Sequence, residues 1–403
     1  MKQKPFAKLV ALSAFFLSSS ALAAVEVGDN MTLQGKAGTS TRYDSNIFDQ
    51  DKNPQGHFIQ NMGGDVALTK EFKAGKATVG GGVEHEWYVD SPRDDRTNFN
   101  VMGDVEGRIS QAVKAFLSAE YRQRHVNRGE SLTDPTAVAK SPVRYWETSG
   151  RAGLEIRQAQ WSIDPLVEIT NLDFRNTRQL NGLTNTQDQR DRTEYEAGAR
   201  IGYDIDAQWQ VFNRTMGNWR EYDKTVAGFV KRDSSGIESI VGVLFRPTEN
   251  VRLEAGAGYL GQEYDAANLR DADTVAAMAQ ADWDISEDVN FLATYRRSIA
   301  EATAATHSFR LRDVVSTKLT YQAMEPLTLN GSVKFASDEY ENATGVAAKE
   351  RVDDLMTIGF GADYEVFKRI FLLAGYEYAN NESNAATRDY ATHVGRMGAE
   401  FRF

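Results

Sequence analysis

Hydrophobicity in this chain alternates with period two, segment after segment, over almost its whole length. Side chains of a β-strand point to opposite faces, so each such segment has one apolar face and one polar face. Leu327, Leu329, Gly331, Val333 and Phe335 alternate with Thr328, Asn330, Ser332 and Lys334. Val275, Ala277, Ala279, Ala281 and Trp283 oppose Thr274, Gln280, Asp282 and Asp284. Ile237, Val241, Val243 and Phe245 oppose Glu238, Gly242 and Arg246, and Val113, Ala115, Leu117, Ala119 and Tyr121 oppose Lys114, Ser118, Glu120 and Arg122. About eighteen strands follow, at 31–44, 57–71, 76–90, 97–110, 113–125, 142–157, 159–173, 191–205, 208–222, 235–246, 250–264, 272–284, 288–300, 307–322, 326–339, 351–365, 369–381 and 388–403.

The connections sort by length. Short ones fall near 72–75, 111–112, 158, 206–207, 247–249, 285–287, 323–325 and 366–368; long ones fall near 45–56, 91–96, 126–141, 174–190, 223–234, 265–271, 301–306, 340–350 and 382–387. Short periplasmic turns alternating with long outer loops are the rule for transmembrane barrels. The pattern predicts an all-β, antiparallel up-and-down transmembrane barrel. Lipid offers no partner for unpaired backbone, so the first strand must close on the last, 31–44 against 388–403. Pro165 lies inside a strand and cannot donate to the ladder, which predicts a bulge or break there.

The two ends carry targeting signals. Gly395, Met397, Ala399, Phe401 and Phe403 hold one parity of the last strand, and Arg396, Gly398, Glu400 and Arg402 the other. Phe401 and Phe403 are read as the C-terminal insertion signal for the barrel assembly machinery. At the other end, Lys2, Lys4 and Lys8 precede the apolar run Leu9–Leu17 and the small-x-small site Ala21-Leu22-Ala23. This is a secretory signal over residues 1–23, too short to span a bilayer as a helix. Its removal takes three lysines from a formal charge of −11 and leaves −14. Residues 24–403 form one barrel domain. The expected location is the outer membrane of a Gram-negative bacterium, in contact with its lipid and lipopolysaccharide.

Composition excludes several chemistries. There is no cysteine, hence no disulfide and no thiolate metal site or nucleophile. The mean hydropathy of −0.49 suits a barrel whose inward residues are polar. The five histidines, His57, His85, His125, His307 and His393, have no metal-ligand spacing, and His85 and His393 fall on the apolar parity. The acidic run Asp44–Asp51 lacks the glycine and closing glutamate of a helix-loop-helix calcium site. It reads as a solvated loop that divalent cations can bridge. Gly80-Gly81-Gly82 falls mid-strand with no following helix, so it cradles no phosphate. We expect no enzyme, no cofactor, no bound metal and no nucleic-acid partner.

The arginines form the candidate site. Arg122, Arg144, Arg220, Arg296, Arg312 and Arg351 sit toward the long-loop ends of six strands, interleaved with acids such as Glu120 and Glu147. They are expected to project into the lumen. There they either brace the wall as ion pairs or hydrogen-bond anions and sugar hydroxyls at a constriction.

At the outer end of the first strand the chain reads Tyr43-Asp44-Ser45-Asn46-Ile47-Phe48. An early YDSNIF of this kind resembles the putative beta-barrel porin 2 family, outer-membrane barrels associated with exopolysaccharide export. Length, strand rhythm and aromatic ending agree over residues 24–403. The resemblance implies a conduit for a secreted polysaccharide, working beside polysaccharide synthesis and export proteins, and no catalytic residue. From the residues alone, Asp44, Ser45 and Asn46 are turn formers, and Ile47 and Phe48 can anchor the loop on the rim. A general or nutrient-uptake porin remains an alternative, as does a structural barrel with a plugged lumen. The barrel is expected to be a monomer.

Overall fold

The computed structural model describes residues 24–403 except 127, 129–138, 303, 305 and 348. The signal segment 1–23 and most of the 126–141 loop lie outside the described residues.

Eighteen strands follow one another around a closed sheet. They are β1 (Met31–Asp44), β2 (His57–Phe72), β3 (Gly75–Tyr88), β4 (Arg96–Arg108), β5 (Val113–Val126) and β6 (Val143–Gln158). β7 (Trp161–Phe174), β8 (Arg192–Asp204), β9 (Trp209–Tyr222), β10 (Ser234–Thr248), β11 (Val251–Tyr264) and β12 (Ala272–Ser286) come next. β13 (Val289–Glu301), β14 (His307–Met324), β15 (Leu327–Asn342), β16 (Arg351–Phe367), β17 (Ile370–Ser383) and β18 (Tyr390–Arg402) complete the circuit. Every neighbour in this order pairs antiparallel, and β18 pairs β1 from Lys36↔Arg402 to Asp44↔Val394. The closure expected from the alternation is present. A short strand, Val25–Gly28, continues the β1 edge past the point where β18 runs out, with Val25 opposite Leu33. No backbone edge is left open to lipid along the β1–β18 seam, as a spanning sheet requires.

Pro165 meets one expectation in part: the β6–β7 ladder is interrupted beside it, without a bulge. β7 is continuous, and its register with β6 is the same on both sides of the proline: Gly153↔Leu166 and Ile156↔Ile163. Rungs are lost between those pairs but no residue is inserted. A one-residue slip would turn every β7 side chain to the opposite face, so the flanking pattern holds the register.

The outward face carries the apolar parity. Val275, Val333, Val241, Leu117 and Met397 are exposed, as lipid-facing residues must be in a barrel without its membrane. Aromatic residues bracket this band. Tyr43, Trp87, Tyr195 and Trp219 stand toward the long loops, and Trp161, Trp209, Trp283, Tyr321 and Tyr364 toward the short turns. Such girdles mark the two interfaces of a transmembrane barrel.

The inward face is not uniformly wet. Phe212, Ile240, Leu260, Tyr264 and Ala276 on the inward parity of β9 to β12, with Ile299 and Phe309 from the long-loop ends of β13 and β14, form a buried apolar cluster. Ile240 and Leu244 are fully buried. Glycine makes the room: a Cβ on Gly256 would stand 2.6 Å from Ile240 Cγ2, and one on Gly242 would collide with the Phe212 ring. β10 and β12 come within 8 Å of each other across β11, so the wall bends sharply here and packs against itself.

Candidate functional site

The outer mouth is built from a device repeated at five of the long loops, one of them Ser383 N–H on Asp389 (2.6 Å). The backbone N–H that ends a rising strand donates to an aspartate lying just ahead of the returning strand. Tyr88 N–H donates to Asp95 (2.7 Å), Phe174 to Asp191 (2.7 Å), Tyr222 to Asp233 (2.7 Å) and Tyr264 to Asp271 (2.8 Å). Asp191 lies in its loop, and burial raises its carboxyl above the usual range. These last four clamps each end on an aromatic ring that faces inward, and all four rings are at least nine-tenths buried. Arginines cover them. Arg96 lies over Tyr88 (5.4 Å to the ring centre), Arg190 over Phe174 (4.0 Å), Arg192 over Tyr222 (5.6 Å) and Arg232 over Tyr264 (5.9 Å); Arg351 over Tyr340 (4.4 Å) extends the series. A guanidinium is attracted to the negative face of an aromatic ring, more so when desolvated.

Carboxylates neutralise this belt from within. Glu301 accepts from Arg220 (2.6 Å), Arg232 (3.1 Å) and the Tyr222 hydroxyl (3.2 Å). Arg232 also donates to the carbonyls of His307 and Ser308, which ties the β9–β10 loop to the start of β14. Glu238 on β10 accepts from Arg296 on β13 (2.7 Å) and pairs with Arg214 on β9. Asp338 pairs with Arg310 (3.0 Å) and Arg312 (3.4 Å), and Asp353 with Arg351 (2.9 Å). Glu147 and Glu120 flank Arg122. These loops reach inward. Gln189 and Arg190 from the β7–β8 loop, with Phe229, Val230 and Arg232 from the β9–β10 loop, line a cavity of about 300 Å³ together with Tyr145, Glu147, Phe174 and Arg310.

Five of the six sequence-predicted arginines, Arg122, Arg220, Arg296, Arg312 and Arg351, lie on the inward parity, each against a carboxylate. They form no single ring. Arg122, Glu120 and Glu147 stand on β5 and β6, and the others on β9 and β13 to β16. Arg144 departs from the expectation. It pairs in register with His125, while Arg122 pairs with Glu147, so Arg144 shares the outward face with Trp146. Three residues separate Arg144 from Glu147, and an odd separation along a strand places two side chains on opposite faces.

The YDSNIF hexapeptide stitches the closure seam at the rim. Asp44 Oδ1 accepts from Asn46 N–H and the Thr392 hydroxyl of β18 (2.9 Å each). Ser45 exchanges hydrogen bonds with the backbone of His393: its N–H donates to the carbonyl (3.0 Å), and its hydroxyl accepts from the N–H (2.8 Å). Asn46, 1% exposed, donates to the carbonyls of Gln50 (2.9 Å) and Ala391 (3.2 Å) and accepts from Gln50 N–H (3.0 Å). Ile47 N–H donates to the Gln55 carbonyl, Tyr43 rests on Phe58, and Arg128 stands over Phe48 (4.4 Å) while pairing with Asp94. Phe401 faces outward and stacks on Phe403 (5.7 Å). Phe403 and Gly35 exchange two backbone hydrogen bonds at the foot of the same seam.

His85 and His393 sit on the outward face among aromatics, beside Trp87 and Tyr376. Among the described residues, no group of three or more His, Asp or Glu side chains could hold a metal ion.

Comparison with known proteins agrees with this architecture. The model of the family described as Putative beta-barrel porin 2 matches residues 25–403. A search of curated proteins finds no match. Among solved structures, the copper transporter OprC has a TM-score of 0.52 at 11% identity, covering 94% of this chain and 81% of that one. The outer membrane protein opdK from Pseudomonas aeruginosa has 0.47 at 10%, covering 92% and 99%. The FrpB iron transporter from Neisseria meningitidis has 0.49 at 8%, covering 94% and 82%. At 11% identity the likeness to the copper transporter speaks to the barrel fold alone.

Proposed function

We propose that this chain, which belongs to the Putative beta-barrel porin 2 family, is a passive outer-membrane conduit whose cargo is a polysaccharide leaving the cell. The family and the barrel place it in the outer membrane with a porin-like, transporter-type fold. The observation that carries the finer reading is the inward arginine belt, in which each guanidinium is held by a neighbouring carboxylate. A belt of this kind offers many fixed donors to hydroxyls and carboxylates but no strong net field. Weak, repeated contact is what a conduit needs if its cargo must also leave. No side chain of the belt acts as nucleophile or general base in this reading, which assigns the protein no catalysis. The signal segment 1–23 is removed, the barrel inserts as a monomer through the barrel assembly machinery, and polysaccharide synthesis and export proteins are its partners.

A second reading, uptake of a small hydrophilic solute, is favoured by the mouth cavity of about 300 Å³. That volume holds a small solute more readily than a moving polymer.

The belt arginines that a solute can reach are Arg122, Arg296 and Arg312, whose side chains are 25%, 32% and 28% exposed; Arg220 and Arg351 are more deeply held. The triple variant Arg122→Gln/Arg296→Gln/Arg312→Gln separates the readings. Export predicts less secreted polymer at unchanged barrel abundance. Uptake predicts unchanged secretion with altered solute influx or ion selectivity in planar bilayers. If neither changes, the arginines are wall braces and the plugged structural barrel replaces both.

A further inference from the structure

We propose that the outward face of β5 to β7, at the outer rim, binds the phosphate of an outer-leaflet lipid headgroup through Arg144, Arg175 and Trp146. The argument starts from register. Tyr145 pairs with Phe174, so Arg144 and the residue after β7, Arg175, stand directly opposite; the Arg175 N–H donates to the Arg144 carbonyl (2.8 Å). Like charges directly opposite on one face of a sheet destabilise it. Elsewhere the chain answers inward arginines with carboxylates. Here neither guanidinium has an ion pair or side-chain hydrogen bond among the described residues, and both side chains are exposed. Asp173 stands on the same face opposite Trp146, two residues further into the sheet, and forms no salt bridge with either. A protein with a formal charge of −11 therefore leaves two opposed cations unneutralised at one place on its membrane-facing surface.

The level matters as much as the sign. Trp146 belongs to the outer aromatic band, where amphipathic rings meet the headgroups. Both guanidiniums lie over that one indole, Arg144 at 5.0 Å and Arg175 at 4.7 Å. Stacking costs neither of them its donors. Each presents a planar fork that matches two phosphate oxygens, and one anion between them removes the repulsion of the pair. Lys140 and Arg178 are exposed, and their backbones are hydrogen-bonded to each other (2.6 Å), which adds two cations to the same corner. The occupant implied is a phosphorylated glycolipid held by its headgroup, with its acyl chains along the apolar wall below.

The test uses the folded full-length barrel in neutral detergent. Wild type and Arg144→Gln/Arg175→Gln are each mixed with bisphosphorylated lipid A, with dephosphorylated lipid A and with inorganic phosphate. Bound lipid is counted by native mass spectrometry, and heat unfolding is followed by gel mobility. Wild type is expected to retain bisphosphorylated lipid A and unfold at a higher temperature with it. The double variant should bind at least about tenfold more weakly, the loss of one charge-assisted bond or more. Without lipid the sign reverses: the double variant should be no less heat-stable than wild type, because the opposed cations are gone. Equal retention by both proteins overturns the proposal. So does a shift produced as strongly by inorganic phosphate or by dephosphorylated lipid A. The single variant Arg175→Gln, altered beyond the end of β7, carries the same comparison if the double variant fails to fold.

Discussion

Replacing Asn46 with alanine tests what holds the barrel shut at its rim. Asn46 is 1% exposed and its amide makes three hydrogen bonds, two to Gln50 and one to the Ala391 carbonyl of β18. A neutral hydrogen bond contributes about 1 kcal/mol net, and a buried group left without a partner costs roughly 1–3 kcal/mol. Three lost bonds, with Gln50 N–H stranded in a buried turn, sum to about 3–5 kcal/mol by the same arithmetic. Asn46→Asp should be no better, since it keeps the acceptor for Gln50 N–H but loses both donors and buries a charge. The assay is urea unfolding in lipid vesicles followed by tryptophan fluorescence, with single-channel conductance measured on the fraction that remains folded. The expected result is a large loss of stability at unaltered conductance. A loss below about 0.5 kcal/mol, within the range of neutral surface substitutions, would refute the latch. Altered conductance at full stability would instead make the hexapeptide a solute contact.

Three further outcomes are expected. Val333→Arg, on the exposed outward face, should cost about 2–4 kcal/mol if it lies at the bilayer midplane, whereas Lys334→Ala should cost little; refolding in vesicles compares them. Glu301→Gln leaves Arg220 and Arg232 without their carboxylate and should destabilise the barrel by about 3–5 kcal/mol; a melting curve like that of wild type would show that the hub is dispensable. Removing Phe403 should lower outer-membrane yield more than folded stability, although it also removes the two backbone bonds to Gly35; equal yield of full-length and truncated chain would count against an insertion role.

Much of the wall was legible in the sequence because two independent constraints agree there. Period-two alternation places strands, and loop length places their ends, so each expected strand overlaps an observed one with boundaries differing by a few residues. What failed had local causes. At Pro165 the missing donor interrupts the β6–β7 ladder, but the pattern of its neighbours holds the register, so no bulge forms. Arg144 and Glu147 were both placed inward although three residues separate them; counting parity along β6 would have separated them. The aromatic half of the mouth was missed. Tyr88, Phe174, Tyr222 and Tyr264 look like girdle residues until their parity is compared with that of Trp87 and Trp219, which face outward. The inward aspartate clamps depend on loop geometry that no periodicity encodes.

The apolar cluster behind β9 to β14 changes what kind of lumen this wall can enclose. A wide barrel with a wet interior needs polar residues on every inward position. Here Ile240 and Leu244 share β10 with the outward Val241 and Val243, so the middle of this strand is apolar on both faces. A strand of that kind must be covered on both sides, by lipid outside and by protein inside. The cover comes from Phe212, whose ring stands over Gly242, with Leu260 and Ile299 in the same buried cluster. Ion pairs span the same corner: Arg296 reaches Glu238 across two intervening strands, and Arg220 reaches Glu301 across three. The second contact covers four strand steps of about 4.8 Å, roughly 19 Å along an evenly curved wall, which is more than an arginine and a glutamate reach end to end. The wall is therefore drawn in at this corner, in keeping with the close approach of β10 and β12 across β11. Of the belt arginines at this corner, Arg296 and Arg312 stay 32% and 28% exposed, so on the proposed reading a solute still meets them there, as it meets Arg122 on β5.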